Sequence, residues 1–183
     1  MEQAIIRNAK KEDIKEILKI QNELLLSNRE RDLKKDGFLV YPITSKEITN
    51  LIESNLNIII VAVYENKVIG YGLTYDFNEW IKLKKEIRIE TGSLIKHHLL
   101  NDRVLYFRHI ARKDKFYGLG KQIEEEVYKK AKNKNYKFVV GEILEKPILN
   151  EKSKEVHIKR GFVKIGQITY GDGKIWGLYE KKL

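Results

Sequence analysis

Leu105-Tyr106-Phe107-Arg108-His109-Ile110-Ala111 is an apolar, aromatic-rich run that reads as a buried strand. A short basic loop follows and ends in Gly118-Leu119-Gly120. From there Leu119, Ile123, Val127 and Ala131 recur at helical spacing, with Lys and Glu between them. Strand, glycine-bearing turn and helix start, in that order, leave backbone N–H groups unpaired where they can hold an anion. The same glycines could serve only the turn.

The chain of 183 residues is long enough for one domain with a substantial core and awkward for two. It has no cysteine, which excludes disulfide scaffolds, thiolate zinc sites and a cysteine nucleophile. No apolar run approaches a bilayer span, and Met1-Glu2-Gln3 does not open a signal peptide, so a cytoplasmic protein with no membrane partner is expected. The net charge of +10 admits two readings: a polyanionic partner such as nucleic acid, or solvated helix faces that partly serve a small phosphorylated ligand. Lysines interleave with Glu and Asp almost everywhere, as in Lys10-Lys11-Glu12-Asp13, which favours the second.

In chain order, Ala4–Arg7 reads as a strand, and the spacing of Ile14, Ile17, Leu18, Gln21, Leu24 and Leu25 predicts a helix from about Glu12 to Leu26. Ser27–Gly37 is polar and reads as a mobile connection. Thr44 and Glu47 have capping-box spacing before a short helix with Ile48, Leu51 and Ile52 inward. Asn57–Tyr64 and Val68–Tyr75 form a hairpin about Glu65-Asn66-Lys67, and Gly70 and Gly72 leave one face bare for a close approach. Asp76–Asp102 is a long connection holding Trp80, several lysines and His97-His98, the histidines read as solvated loop residues and not as metal ligands. Lys137–Ile143 is a further strand, Glu151–Lys159 a short helix stopped at Gly161, and Phe162–Gly166 and Ile175–Glu180 close the chain around Gly171-Asp172-Gly173. This order predicts a mixed α/β sheet with helices on both faces.

Two stretches now belong together. Ile110–Gly120 carries a strand end followed by Lys115-Phe116-Tyr117-Gly118-Leu119-Gly120. Pro147–Phe162 carries Asn150, Ser153, His157 and a closing Gly161-Phe162. The pair resembles the signatures of the GNAT superfamily of acetyl-CoA-dependent N-acetyltransferases, and the element order is similar over nearly the whole chain. The resemblance implies one N-acetyltransferase domain over 1–183. Its α/β fold would have a central mixed, largely antiparallel sheet of about seven strands flanked by about four helices. It implies acetyl-CoA as co-substrate. Backbone groups of Ile110 and Arg112, either side of Ala111, would pair with the pantetheine arm, and N–H groups from Phe116 through Tyr117, Gly118, Leu119 and Gly120 to Lys121 would cradle the pyrophosphate. Asn150 and Ser153 would contact the cofactor beyond a strand that splays from its neighbour. Lys115 stands where Arg or Gln is usual and Phe116 where Gly is common, so the planar guanidinium fork is absent. His157 stands where many members carry a Tyr that protonates the departing thiolate; members with His there include small-molecule acetyltransferases of the phosphinothricin type, whose Ser-x-x-x-His-x-x-x-Gly-Phe run is similar to this one.

A primary amine is protonated at pH 7, so making the nucleophile costs roughly 4 kcal/mol unless a base or water relay removes the proton. Alternation puts Tyr106, Arg108 and Ile110 on one face of their strand and Phe107 and His109 on the other. Tyr106 is the candidate to orient water or substrate, Glu142 the candidate base, and His157, as imidazolium, the candidate acid. Tyr106 could instead be a packing residue, Glu142 an ion-paired one and His157 a plain helix-surface residue. The acceptor is an amine, expected to be a small molecule, with a protein N-terminus or lysine as the alternative. A basic nucleic-acid- or ribosome-binding module without catalysis is the reading from another class. No metal is expected, and a homodimer is left open.

Overall fold

The computed structural model describes residues 4–28, 37–84, 87–113 and 115–183. Along the chain run β1 (Ile5–Asn8), α1 (Ile14–Leu24), α2 (Ser45–Glu53), β2 (Ile59–Tyr64), β3 (Lys67–Asp76), α3 (Phe77–Leu83), β4 (Ile87–Thr91) and α4 (Ser93–Asn101). They are followed by β5 (Val104–Arg112), α5 (Leu119–Asn133), β6 (Phe138–Lys146), α6 (Glu151–Lys159), β7 (Val163–Tyr170) and β8 (Ile175–Lys182). The strands form one sheet in the order β1-β2-β3-β5-β6-β8-β7-β4. β5 and β6 run parallel, while β1–β2, β2–β3, β4–β7, β6–β8 and β7–β8 are antiparallel. The mixed, largely antiparallel α/β sheet expected from the sequence is therefore present, with eight strands instead of about seven and six α-helices instead of about four among the described residues. The additions lie in Asp76–Asp102, which is built as α3, β4 and α4 and is not an open connection. The mobile connection expected at Ser27–Gly37 falls mostly outside the described residues. Among those residues no helix is long and apolar enough to cross a membrane.

Contacts group the chain into two compact units. The first holds β1, α1, α2, β2, β3, the Arg108–Arg112 part of β5, and α5. Here Ile60, Val61 and Ala62 of β2 are fully buried, and Glu65 and Asn66 turn the hairpin at φ 48° and 58°, the pair of positive angles a two-residue turn needs. On α5 the buried residues include Leu119, Ile123, Val127 and Ala131, the stripe expected from their spacing. α1 begins later than expected, at Ile14, because Lys11–Asp13 winds as a tighter turn in which Asp13 accepts a bidentate pair from Arg7 at 2.7 and 2.9 Å. The α2 capping box forms as read: Thr44 Oγ1 accepts from the Glu47 N–H at 3.2 Å, and the Thr44 N–H donates to Glu47 Oε2 at 2.8 Å.

The second unit holds α3, β4, α4, the Val104–Phe107 part of β5, β6, α6, β7 and β8. Asp76 caps α3 by accepting from the N–H groups of Asn78 and Glu79. This helix buries Trp80, whose ring stacks on Tyr106 at 4.1 Å between centroids and leans on Phe77 at 5.5 Å. Trp80 therefore belongs to the core. His98 is not a solvated loop residue either: it sits in the last turn of α4 with Nδ1 2.6 Å from Asp102 and Nε2 2.7 Å from Glu180 on β8. Burial alone would lower its pKa, but the bonds to the two carboxylates outweigh burial and raise it above 6.5. An imidazolium thus joins α4 to β8.

Candidate active site

The turn before α5 is the first candidate. The Lys113 N–H donates to Ile69 O at 2.8 Å, tying the end of β5 to β3, and the Phe116 N–H returns to Lys113 O at 3.2 Å. Gly118, the N-cap of α5, sits at φ 80° and ψ −19°, a region where a side chain costs on the order of 1 kcal/mol. Its carbonyl accepts from the Lys121 N–H at 3.0 Å. The expected cradle from Phe116 to Lys121 is thereby narrowed, since both of its end N–H groups are spent. Among the described residues nothing accepts from the N–H groups of Tyr117, Gly118, Leu119 and Gly120. These four sit at the positive end of a 15-residue helix, and a Cβ on Gly118 would meet nothing within 4 Å. Lys115 and Tyr117 are exposed, the Arg112 guanidinium lies 5.1 Å from the Tyr117 ring, and the Phe116 ring packs 5.8 Å from Tyr64.

What seats this helix is Gly70 on β3. A Cβ there would come within 3.0 Å of Leu119 Cδ2 and within 3.1 Å of both Ala111 O and Ile123 Cδ1. The bare face read at Gly70 is thus filled by the first turns of α5 and by the backbone of β5. Also in this unit, His109 is buried between the Tyr71 hydroxyl, 3.3 Å from Nδ1, and Tyr41 O, 3.2 Å from Nε2. A carbonyl only accepts, so Nε2 carries the proton and Nδ1 receives the tyrosine's. Burial, helped by the Arg108 charge, holds the His109 pKa well below 6.5, and the ring is neutral at pH 7.

The second unit carries Asn150, Ser153, His157, Tyr106 and Glu142. Asn150 is buried and caps α6: its Oδ1 accepts from the Ser153 N–H at 3.2 Å while its Nδ2 donates to Phe38 O at 3.0 Å. Its amide is therefore engaged at both ends by the chain itself. One turn on, His157 Nδ1 lies 2.8 Å from Ser153 O, which fixes the proton on Nδ1 and leaves a lone pair on Nε2. The helix ends in a Schellman arrangement, with Gly161 at φ 83°, its N–H on Ile158 O and the Phe162 N–H on His157 O. This brings the Phe162 ring 4.9 Å from the imidazole, and Tyr179 stands 6.4 Å away. Burial lowers the His157 pKa below 6.5, against the Ser153 bond and with the Arg160 charge. The resting form is neutral imidazole and not the imidazolium expected of a resting acid.

Tyr106 and Glu142 lie on one face of the β5–β6 ladder, because Tyr106 is registered with Val140 and Phe107 with Gly141. The Tyr106 ring is fully buried against Trp80, so packing accounts for the ring. Glu142 Oε2 accepts from the Tyr170 hydroxyl at 2.7 Å. Tyr170 went unnoticed in the sequence, where nothing links the end of one strand to a residue 28 positions earlier. Gly141 also went unread, although a glycine inside an apolar strand signals a close approach, here by the His157 ring. Among the described residues no cluster of His, Asp and Glu is arranged to hold a metal.

No family model and no curated protein matches the chain. Solved structures do. An N-acetyltransferase from Staphylococcus aureus Mu50 superposes with a TM-score of 0.64 at 22% identity, over 99% of each chain. A ribosomal-protein-alanine N-acetyltransferase from Brucella melitensis gives 0.64 at 16% identity, over 98% of this chain and 99% of the other. YncA from Salmonella typhimurium, solved with its cofactor acetyl-CoA, gives 0.64 at 14% identity, over 100% and 95%. At these identities the likeness establishes the fold: the chain is built like the GNAT N-acetyltransferases that its two motifs resemble.

Proposed function

We propose that the chain, as one domain over 1–183, is an acetyl-CoA-dependent N-acetyltransferase. It moves the acetyl group to a primary amine of a small molecule by direct attack in a ternary complex. The observation that carries this reading is the run of N–H groups from Tyr117 to Gly120, which have no acceptor among the described residues, with a glycine at positive φ at the start of α5. That donor set suits a pyrophosphate, in a fold shared with an acetyltransferase solved with acetyl-CoA. Acetyl-CoA supplies an acyl group already activated as a thioester. Tyr117, Gly118, Leu119 and Gly120 hold its anionic part, Ile110 and Arg112 offer backbone groups to its arm, and Lys115 and Lys121 add positive charge. Ser153 and the α6 turn capped by Asn150 complete the assignment that the second motif suggests.

The acceptor's proton goes to Glu142, directly or through water, with the Tyr170 hydroxyl orienting the carboxylate. His157 enters neutral, so its Nε2 takes a proton before it can give one. The small-molecule acceptor rests on the similarity of the Ser153–Phe162 run to acetyltransferases of the phosphinothricin type. A protein amine is the second reading, favoured by the likeness to a ribosomal-protein-alanine N-acetyltransferase. A purely nucleic-acid-binding role is weakened by the pairing of lysines further along α5 with a carboxylate, Lys130 with Glu126 at 3.4 Å and Lys129 with the same glutamate at 4.0 Å. A cytoplasmic location is part of the same proposal.

The test is calorimetric titration with acetyl-CoA followed by free-thiol release over a panel of amines. Saturable binding and amine-dependent thiol release are expected. No acetyl-CoA binding, together with steeply salt-dependent RNA binding, would replace the enzyme with the binding module.

A further inference from the structure

β4 ends the sheet: it is paired with β7, and no described residue pairs with its other edge. Its five residues, Ile87-Arg88-Ile89-Glu90-Thr91, contain no Pro or Gly and pair with β7 without a bulge, so only the strand's shortness and the charges of Arg88 and Glu90 guard this edge. Ile87 and Ile89 are only half-buried, and the Arg88 side chain is 80% exposed. Alternation puts Ile87, Ile89 and Thr91 on one face and Arg88 and Glu90 on the other.

We propose that β4 pairs edge to edge with β4 of a second copy, antiparallel across a two-fold axis, giving a homodimer with one continuous sheet. The charges choose the register. A two-fold perpendicular to the sheet keeps each face on its own side, so Arg88 and Glu90 meet only Arg88 and Glu90 of the other copy. Centring on Arg88 sets arginine against arginine, and centring on Glu90 sets glutamate against glutamate. Centring on Ile89 sets Arg88 against Glu90 of the second copy twice over, with Ile89 on Ile89 and Ile87 on Thr91 on the opposite face. That face continues the apolar row, since Ile89 is registered with Ile168 on β7. The charged face is already drawn together within one chain, where Arg88 Nε lies 3.0 Å from Glu90 Oε1 and Gln167 holds the second glutamate oxygen. Isologous pairing therefore satisfies the open backbone edge and both charges at once.

The experiment is sedimentation of the full chain at about 0.15 M salt, which screens the long-range repulsion between two basic copies. Wild type is expected at twice the 21.6 kDa chain mass. Arg88→Glu alone and Glu90→Arg alone each turn both cross-strand pairs into like charges and should weaken the dimer about 30-fold or more. An equimolar mixture of the two single variants pairs Glu with Arg at both places, so it should dimerise, as should the double variant. That rescue also shows that the single variants are folded. A wild type that sediments as a monomer at every concentration overturns the proposal. So does a dimer that ignores the swaps, because its contact then lies elsewhere.

Discussion

A Cβ placed on Gly141 would lie 3.0 Å from Nε2 of His157, so the imidazole rests on the bare backbone of β6. The ring has little room to retreat, being tied to Ser153 O at 2.8 Å and edged by Phe162. Gly141→Ala is expected to cost about 1–3 kcal/mol by overpacking and to tilt the ring. If His157 serves in catalysis, kcat drops while the affinity for acetyl-CoA holds. Thermal unfolding and initial rates check the two effects separately, and an alanine variant with unchanged melting would show that the ring yields freely.

Three histidines make opposite demands on pH. His98 gains its proton in the fold, so its folded pKa is raised: its contribution is complete below 6.5, the unfolded value, and is lost as pH climbs through the folded pKa. His109 and His157 are buried neutral, with folded pKa values lowered. Their burial is uncontested above 6.5 and becomes costly as pH falls below it. His98→Gln should accordingly lower the melting temperature more at pH 6 than at pH 9. His157→Gln should narrow the difference between pH 5 and pH 7. Equal losses at both pH values for His98→Gln would mean that the imidazolium clamp contributes nothing beyond packing.

Gly70 lies on β3, yet it governs the cradle. Gly70→Ala would press on Leu119, Ile123 and the Ala111 carbonyl, all 3.0 to 3.1 Å from the new Cβ. A stability loss of about 1–3 kcal/mol is expected, with α5 pushed outward at its first turn. Acetyl-CoA binding should weaken although no ligand-facing residue has changed. By contrast, Gly118→Glu and Gly120→Glu should abolish binding by filling the cradle and repelling phosphate. Calorimetry distinguishes them: near-normal affinity in the glutamate variants would sink the cradle assignment.

Strong local periodicity was readable, and it placed β2, β3, β5, α5, β6 and α6 close to where they lie. The cradle's two ends escaped, because only the folded turn shows that Phe116 and Lys121 have spent their N–H groups. β4 was missed although Ile-Arg-Ile-Glu-Thr alternates, since five residues between lysines and a glycine read as loop until a partner strand is known. His98 was misjudged for a related reason. Asp102 stands four residues on and was available, but Glu180 is 82 positions away and comes to it only through the sheet. The core place of Trp80 is not legible in the sequence, because the chain does not show that its neighbour is Tyr106.

Tyr106 and Tyr170 offer the last discrimination, because one aromatic residue is argued to pack and the other to hold a carboxylate. Tyr106→Phe keeps the stack on Trp80 and should change stability by no more than about 1.5 kcal/mol, whereas Tyr106→Ala should cost about 3–5 kcal/mol. Any fall in kcat for the phenylalanine variant then reports the hydroxyl alone. Tyr170→Phe removes the donor 2.7 Å from Glu142 Oε2 and with it a bond that favours the ionised carboxylate. If Glu142 takes the acceptor's proton, the ascending limb of kcat/KM should move to higher pH in Tyr170→Phe and disappear in Glu142→Gln, with acetyl-CoA affinity unchanged in both. A pH profile that stays in place in both variants would return Glu142 to a structural role and leave the proton to water or to His157.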